Sequence, residues 1–223
     1  VETASIGQLE STLRVMTEQL VHRGPDDAGV WCDRSGVIGF SHRRLSIIDL
    51  SPAGHQPMTS ASGRFTITFN GEIYNYRKLR DELAGYAFKG NSDTEVLLAG
   101  FEKWGVNATL ERAIGMFALG VWDFRDRTLL LARDRFGEKP LYYGVFGNTL
   151  VFGSELKALR VHPAWVGNID RSALALFFQH DFIPAPYCIY ENVAKVVPGG
   201  IVAFAISGGR FKISQSHYYE ARR

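Results

Sequence analysis

Hydrophobic and polar positions along this chain follow two rhythms, and the switches between them mark the elements. From residue 8 to 20, Leu9, Leu13, Met16 and Leu20 recur at helical spacing, which predicts an amphipathic helix. His22-Arg23-Gly24-Pro25-Asp26-Asp27 then breaks the pattern as a polar turn. Short β-type runs follow at 29–32, 37–42 and 65–70, the last alternating as Phe65-Thr66-Ile67-Thr68-Phe69. Between the second and third, Ser51-Pro52-Ala53-Gly54-His55-Gln56-Pro57 reads as a surface loop suited to covering a pocket. Helical rhythm returns over 74–83. It returns again from Ser92-Asp93-Thr94-Glu95 through Val96, Leu97, Phe101 and Trp104, with Ser92 or Asp93 as N-cap.

Strand rhythm dominates the second half. Runs at 117–124 and 128–133 flank Arg125-Asp126-Arg127 as a hairpin, and runs at 141–145 and 150–152 flank the tight turn Gly147-Asn148. A helix over 172–180 precedes a last pair, 202–205 and 210–214, joined at Gly208-Gly209. Strands joined by short turns, with helices grouped between strand blocks, predict α+β layers around antiparallel sheets rather than a parallel βαβ wind. The pattern alone does not choose between two, three and four layers.

Composition narrows the picture. With 223 residues and 46% hydrophobic content, one compact domain over 1–223 is expected. The 25 basic and 23 acidic side chains nearly cancel, so neither nucleic acid nor an anionic membrane is an expected partner. No stretch approaches the roughly 20 apolar residues that cross a bilayer, and no signal segment opens the chain, so a soluble, cytoplasmic protein is expected. Cys32 and Cys188 lie far apart without metal-ligand spacing and read as ordinary thiols, with no metal site.

Candidate chemistry gathers where a strand ends at Phe69-Asn70-Gly71-Glu72. A carboxamide beside a glycine N–H makes an oxyanion hole when both aim at one developing negative oxygen; an isolated Asn-Gly is more often a turn. Arg44 closes another strand, where a guanidinium fork pairs with a carboxylate, and Glu72 and Asp93 are acids able to receive an ammonium. Singly each reads more readily as a surface charge or a helix cap. Together they supply what recognition of a free amino acid with an amide side chain requires.

The order of these pieces carries a resemblance. The runs His22–Asp26, Arg43–Asp49, Asn70–Asn75, Ser92–Glu95, Gly115–Ala118, Arg133–Tyr143 and Gly153–Leu159 closely resemble, in sequence order, the amidotransferase domain of glutamine-dependent asparagine synthetases. That family of class II amidotransferases implies a four-layer αββα N-terminal-nucleophile hydrolase sandwich with antiparallel sheets. It implies that Arg44 holds the glutamine α-carboxylate, Glu72 and Asp93 receive the α-amino group, Asn70 and the Gly71 N–H form the oxyanion hole, and backbone at Ile47 and Ile48 lines the pocket. It also implies a nucleophilic cysteine at the head of a first strand upstream of Val1, whose free α-amine serves as base. Neither internal cysteine replaces it, so the chain by itself is expected to be inactive.

The implied partners are glutamine and a C-terminal synthetase domain, which would bring ATP and Mg; this domain needs no cofactor. Ser207-Gly208-Gly209-Arg210 is not that half's pyrophosphate loop, because Phe211 and Lys212 follow in place of Asp-Ser and the segment suits a hairpin turn. The expected enzyme hydrolyses glutamine and amidates aspartate. Two other readings stay open: a different ammonia acceptor, such as a carboxylated sugar, and a non-catalytic scaffold. Arg133–Lys139 and Ser154–Lys157 are candidates for the ammonia route or the inter-domain face, with a solvated hairpin held by local ion pairs as the plain alternative.

Overall fold

A computed structural model describes residues 5–46, 49 and 51–220. The chain opens with α1 (Ile6–Glu18), then β1 (Asp27–Cys32), β2 (Gly39–Arg44), β3 (Met58–Thr59) and β4 (Phe65–Ile73). Three helices follow, α2 (Tyr76–Glu82), α3 (Asp93–Trp104) and α4 (Val106–Arg112). Next come β5 (Gly115–Asp123), β6 (Thr128–Arg133), β7 (Tyr142–Phe146) and β8 (Thr149–Gly153). The chain finishes through α5 (Leu156–Arg160), α6 (Arg171–His180), β9 (Val193–Lys195), β10 (Gly200–Ser207) and β11 (Arg210–His217).

The strands form three antiparallel sheets: six strands in the order β11-β10-β6-β5-β4-β3, three in the order β8-β7-β9, and the pair β1-β2. Alternation along the six-stranded sheet divides its side chains between two cores. Phe65, Ile67, Phe69, Ile73, Phe117, Leu119 and Val121 pack against Leu79, Val96, Leu97, Phe101 and Leu110 of α2, α3 and α4. Ala118, Trp122, Leu129, Leu131, Val202 and Phe204 face the other way, onto Ile38 just before β2, Phe40 of β2 and Tyr143 of β7. On the outside of these smaller sheets lie α1, which buries Leu13 and Met16, and α5, which buries Leu159 against Val151. Helix, sheet, sheet and helix therefore stack as four layers, the arrangement the sequence pattern left open.

One feature of the second sheet layer positions the site. The outer edges of β2 and β8 carry no strand partner among the described residues. Between them runs an apolar groove of about 410 Å³, floored by Thr68, Ala118, Gly120 and Leu129 and roofed by Leu9, Leu13 and Ala158.

Where the structure departs from the sequence pattern, side chains explain it. The first helix starts at Ile6 because Ser5 and Gln8 form a capping box. The second strand begins at Gly39 rather than 37 because the Asp33 carboxylate takes the Val37 and Ile38 amides at 2.9 and 3.0 Å. The third runs on through Gly71 to Ile73, and Tyr74 N–H still reaches Ile114 C=O at 2.8 Å, delaying α2 to Tyr76. Short β3, β9, α4 and α5 are not legible as separate elements; α4 parts from α3 only because Gly105 takes a φ of 84°. The Gly208-Gly209 hairpin and the Ser92 cap lie where expected.

Candidate functional site

The site grows from the free edge of β4. Backbone hydrogen bonds to β5 alternate, and Phe124 N–H to Arg64 C=O together with Tyr74 N–H to Ile114 C=O fixes their phase. By that phase, the amides of Phe69, Gly71 and Ile73 point away from β5. Phe69 N–H donates to Gln56 Oε1 at 2.7 Å, and Ile73 N–H donates to Asp93 Oδ2 at 2.9 Å. Gly71 N–H, between them, has no partner among the described residues. It is a free donor at the edge of a sheet. Gly is required there, because a Cβ would lie 2.7 Å from Phe117 Cα and against the Met116 carbonyl.

That donor opens into a cavity of about 240 Å³ whose lining includes Arg44, Asn70, Gly71, Glu72 and Asp93. Five of the seven residues singled out from sequence thus meet at one place; Ile47 and Ile48 lie outside the described residues. Asn70 and Glu72, two apart on β4, project from the same strand face. Asn70 Nδ2 donates to Ser154 Oγ at 3.3 Å.

Asp93 is the first residue of α3, held there because Ser92 Oγ caps the helix by accepting Glu95 N–H. Its carboxylate is buried and also accepts Thr94 N–H at 2.9 Å. Burial pushes its pKa up, the Ile73 and Thr94 amides oppose this, and the neighbouring Glu72 charge adds to the rise. Two acids set close together in a half-enclosed cavity favour an incoming cation.

Arg44 ends β2 and is held by the loop that follows. Its Nη1 donates to Ser51 C=O at 3.3 Å and its Nη2 to Asp49 C=O, while Gly54 leaves room for the guanidinium, 2.7 Å from where a Cβ would stand. The loop is itself pinned. Asp49 accepts Ser51 N–H and Asn91 N–H, each at 2.8 Å, and the Ser51 hydroxyl first, then these amides, hold its pKa down. The predicted covering loop therefore lines the cavity through Gly54 and Gln56, as well as fixing the arginine.

Several lining residues were not singled out as site residues: Gln56, Asp49, His42, Met116 and Lys139. Gln56 and Lys139 stood within quoted segments, the covering loop and the charged run, but nothing in their spacing pointed inward. His42 Nε2 donates to Phe69 C=O at 2.9 Å, and burial drives its pKa down to about 4, so the ring is neutral near pH 7. His42 and Asn70, with Arg23 and Arg43, also line the apolar groove, so groove and cavity meet at these four residues.

The two charged segments have different structures. Glu155 joins Arg23 at 2.7 Å, His22 at 3.1 Å and Lys157 at 3.2 Å, an ion cluster at the groove's edge. In the 133–139 run the charges bind backbone instead, through Arg133 and a fully buried Asp134. Neither cysteine approaches the cavity lining, and both thiols are pushed up in pKa by burial. No cluster of metal-ligating side chains occurs among the described residues, and no helix there is long and apolar enough to cross a membrane.

A family model described as a glutamine amidotransferase domain matches residues 3–219. Asparagine synthetase (glutamine-hydrolyzing) 1 of Bacillus subtilis is 42% identical over 198 residues, covering 88% of this chain and 30% of its own length. Asparagine synthetase (glutamine-hydrolyzing) 3 of the same organism is 37% identical over 206 residues, covering 90% and 33%. The chain thus spans about a third of the curated relatives it matches. Among solved structures, the glutamine phosphoribosylpyrophosphate amidotransferase of B. subtilis superposes with a TM-score of 0.66 at 18% identity, over 96% of this chain and 46% of that one. That likeness is one of fold.

Proposed function

Because the chain belongs to the glutamine amidotransferase domain family, we propose that its cavity binds L-glutamine in one orientation. Arg44 takes the α-carboxylate, Glu72 and Asp93 the α-ammonium, and Asn70 with the Gly71 N–H the side-chain amide oxygen, with backbone at Ile47 and Ile48 completing the wall. The carrying observation is that Gly71 N–H is left unclaimed among the described residues while the outward amides on either side of it, Phe69 and Ile73, are capped. A donor fixed by a sheet needs no reorganisation as an oxyanion forms, which is the main source of such stabilisation.

The nucleophile on this reading is a cysteine on a strand seated in the groove between β2 and β8. Both strands point their C-terminal ends at the cavity, since Arg43 and Arg44 end β2 and Ser154, next after β8, reaches Asn70. A strand antiparallel to both would begin beside Asn70 and run away from the cavity. Its first residue, with a free α-amine, would sit beside the oxyanion donors. The facing unpaired edges of β2 and β8 supply its backbone partners.

In the longer polypeptide, the released ammonia passes to an ATP- and Mg-dependent synthetase domain that amidates aspartate in the cytoplasm. The names of the two B. subtilis relatives favour this acceptor over a carboxylated sugar, and the polar set of the cavity favours catalysis over a scaffold role. The test is glutamate release from glutamine by the longer polypeptide with and without its N-terminal cysteine. Release that needs the cysteine, with asparagine formed from aspartate, ATP and ammonia in either case, is expected. No release from the intact protein would refute the reading.

A further inference from the structure

Lys139 reaches the cavity on a loop whose backbone is held with unusual completeness. Its own N–H donates to Asp134 Oδ2 at 2.9 Å, and its own C=O accepts from Arg133 Nε at 2.7 Å. Asp134, fully buried, also accepts the amides of Phe136 and Glu138, while Arg133 further binds the Gly137 and Val196 carbonyls. Burying a carboxylate is costly unless its lone pairs are filled, and here they are filled by the loop that carries Lys139. The direction in which Lys139 leaves the backbone is therefore set by a buried carboxylate and a half-buried guanidinium.

The same carboxylate ties the loop to the site. Asp134 Oδ2 accepts Phe117 N–H at 3.2 Å, and Phe117 stands opposite Gly71 in the β4–β5 pairing. Lys139 is thus tied through Asp134 to the β5 residue that faces Gly71, and it lines the same cavity as Asn70 and Gly71. Its side chain is half-buried among the cavity lining, and its ammonium has no acceptor among the described residues. Every other cation of known bonding in that lining, Arg23, Arg43 and Arg44, is engaged with a protein acceptor.

We propose that Lys139 is the residue that receives a carboxylate at the Asn70–Gly71 end of the cavity, so that the site also binds L-glutamate, its side-chain carboxylate paired with this ammonium. The inference rests on the glutamine reading above. A neutral amide has no charge to offer Lys139; once the amide C–N bond is replaced by C–O, the new carboxylate does. The cavity then holds one cation for each carboxylate of the product, Arg44 for one and Lys139 for the other, with Glu72 and Asp93 on the ammonium. A Lys139 that stabilises the product in this way acts in ligand selection and product release.

Calorimetric titration of the chain with L-glutamine and with L-glutamate, for wild type, K139M and K139R, tests this. Expected is a loss of about tenfold or more in glutamate affinity for K139M, glutamine affinity within about twofold, and recovery of glutamate binding in K139R. Thermal unfolding of each variant checks that the loop survives. Wild type that binds glutamine but not glutamate, or a K139M that weakens both ligands alike, overturns the inference and leaves the glutamine reading standing. Wild type that binds neither amino acid overturns the glutamine reading and this one with it.

Discussion

Asp93 Oδ2 accepts the Ile73 amide at 2.9 Å, so a helix N-terminus and a sheet edge are joined two residues from the free Gly71 donor. This bond makes Asp93 both a structural cap of β4 and one wall of the cavity. The two roles separate in D93N, whose amide oxygen still accepts one N–H but carries no charge. Glutamine affinity is expected to fall by about tenfold or more, since a charge-assisted hydrogen bond contributes roughly 1.5–3 kcal/mol; calorimetry reads it directly.

The pH dependence of stability offers a second reading of Asp93. Its pKa in the folded chain lies above the ordinary 3.8, so the native state holds the proton more tightly than the unfolded one. Stability from this group is present below pH 3.8 and is lost as pH rises through the raised value. D93N removes that slope, and urea midpoints measured from pH 3 upward show its removal as a flatter curve for the variant.

Glu155 has the opposite sign. Partial burial pushes its carboxyl up, but bonds from Arg23, His22 and Lys157 outweigh this and hold it down to about 2. Its stabilisation is present above the ordinary value of 4.5 and is lost as pH falls from there toward 2. E155Q is expected to lose stability at neutral pH and to show a shallower acid transition in that window, followed by circular dichroism.

Gly71→Ala tests the sheet edge. The added methyl would meet the Met116 carbonyl and lie 2.7 Å from Phe117 Cα, in a ladder that has no slack. Overpacking of this kind costs typically 1–3 kcal/mol, and unfolding in urea is expected to show a loss at the upper end of that range. An unchanged midpoint would mean that β4 and β5 part more readily than their pairing indicates.

Much of this was legible in the sequence, and the limits are instructive. Phe65–Phe69 alternates because one face meets α3 and the other the second sheet, so period two survived intact. The segment at Ser92-Asp93-Thr94-Glu95 announced a helix start because capping is local chemistry. Short β3, α4 and α5 left no period long enough to register. For the site, Arg44, Asn70, Gly71, Glu72 and Asp93 stood out by residue type and position, a resemblance gave them their roles, and the structure gathers them in one cavity. Gln56 escaped because the β4 amide it caps lies 13 residues on, and Lys139 because Asp134, in the same charged run, aims it through backbone amides, which a pattern of charges does not reveal. Ion pairing within the 133–139 run, a natural reading of its alternating charges, gives way to backbone clamping, since carbonyls and amides of the loop lie nearer than the opposite charges.

The central claim is that one cavity recognises all three ends of L-glutamine. It is tested most directly by titrating L-glutamine into the wild-type chain and into R44A, and by titrating into the wild type an analogue lacking the α-carboxylate. The account predicts a single site in the wild type, an affinity lower by about a hundredfold in R44A, which corresponds to roughly 2.7 kcal/mol, and an equal loss when the analogue's carboxylate is the part removed. Glutamine binding that R44A leaves unchanged would contradict it.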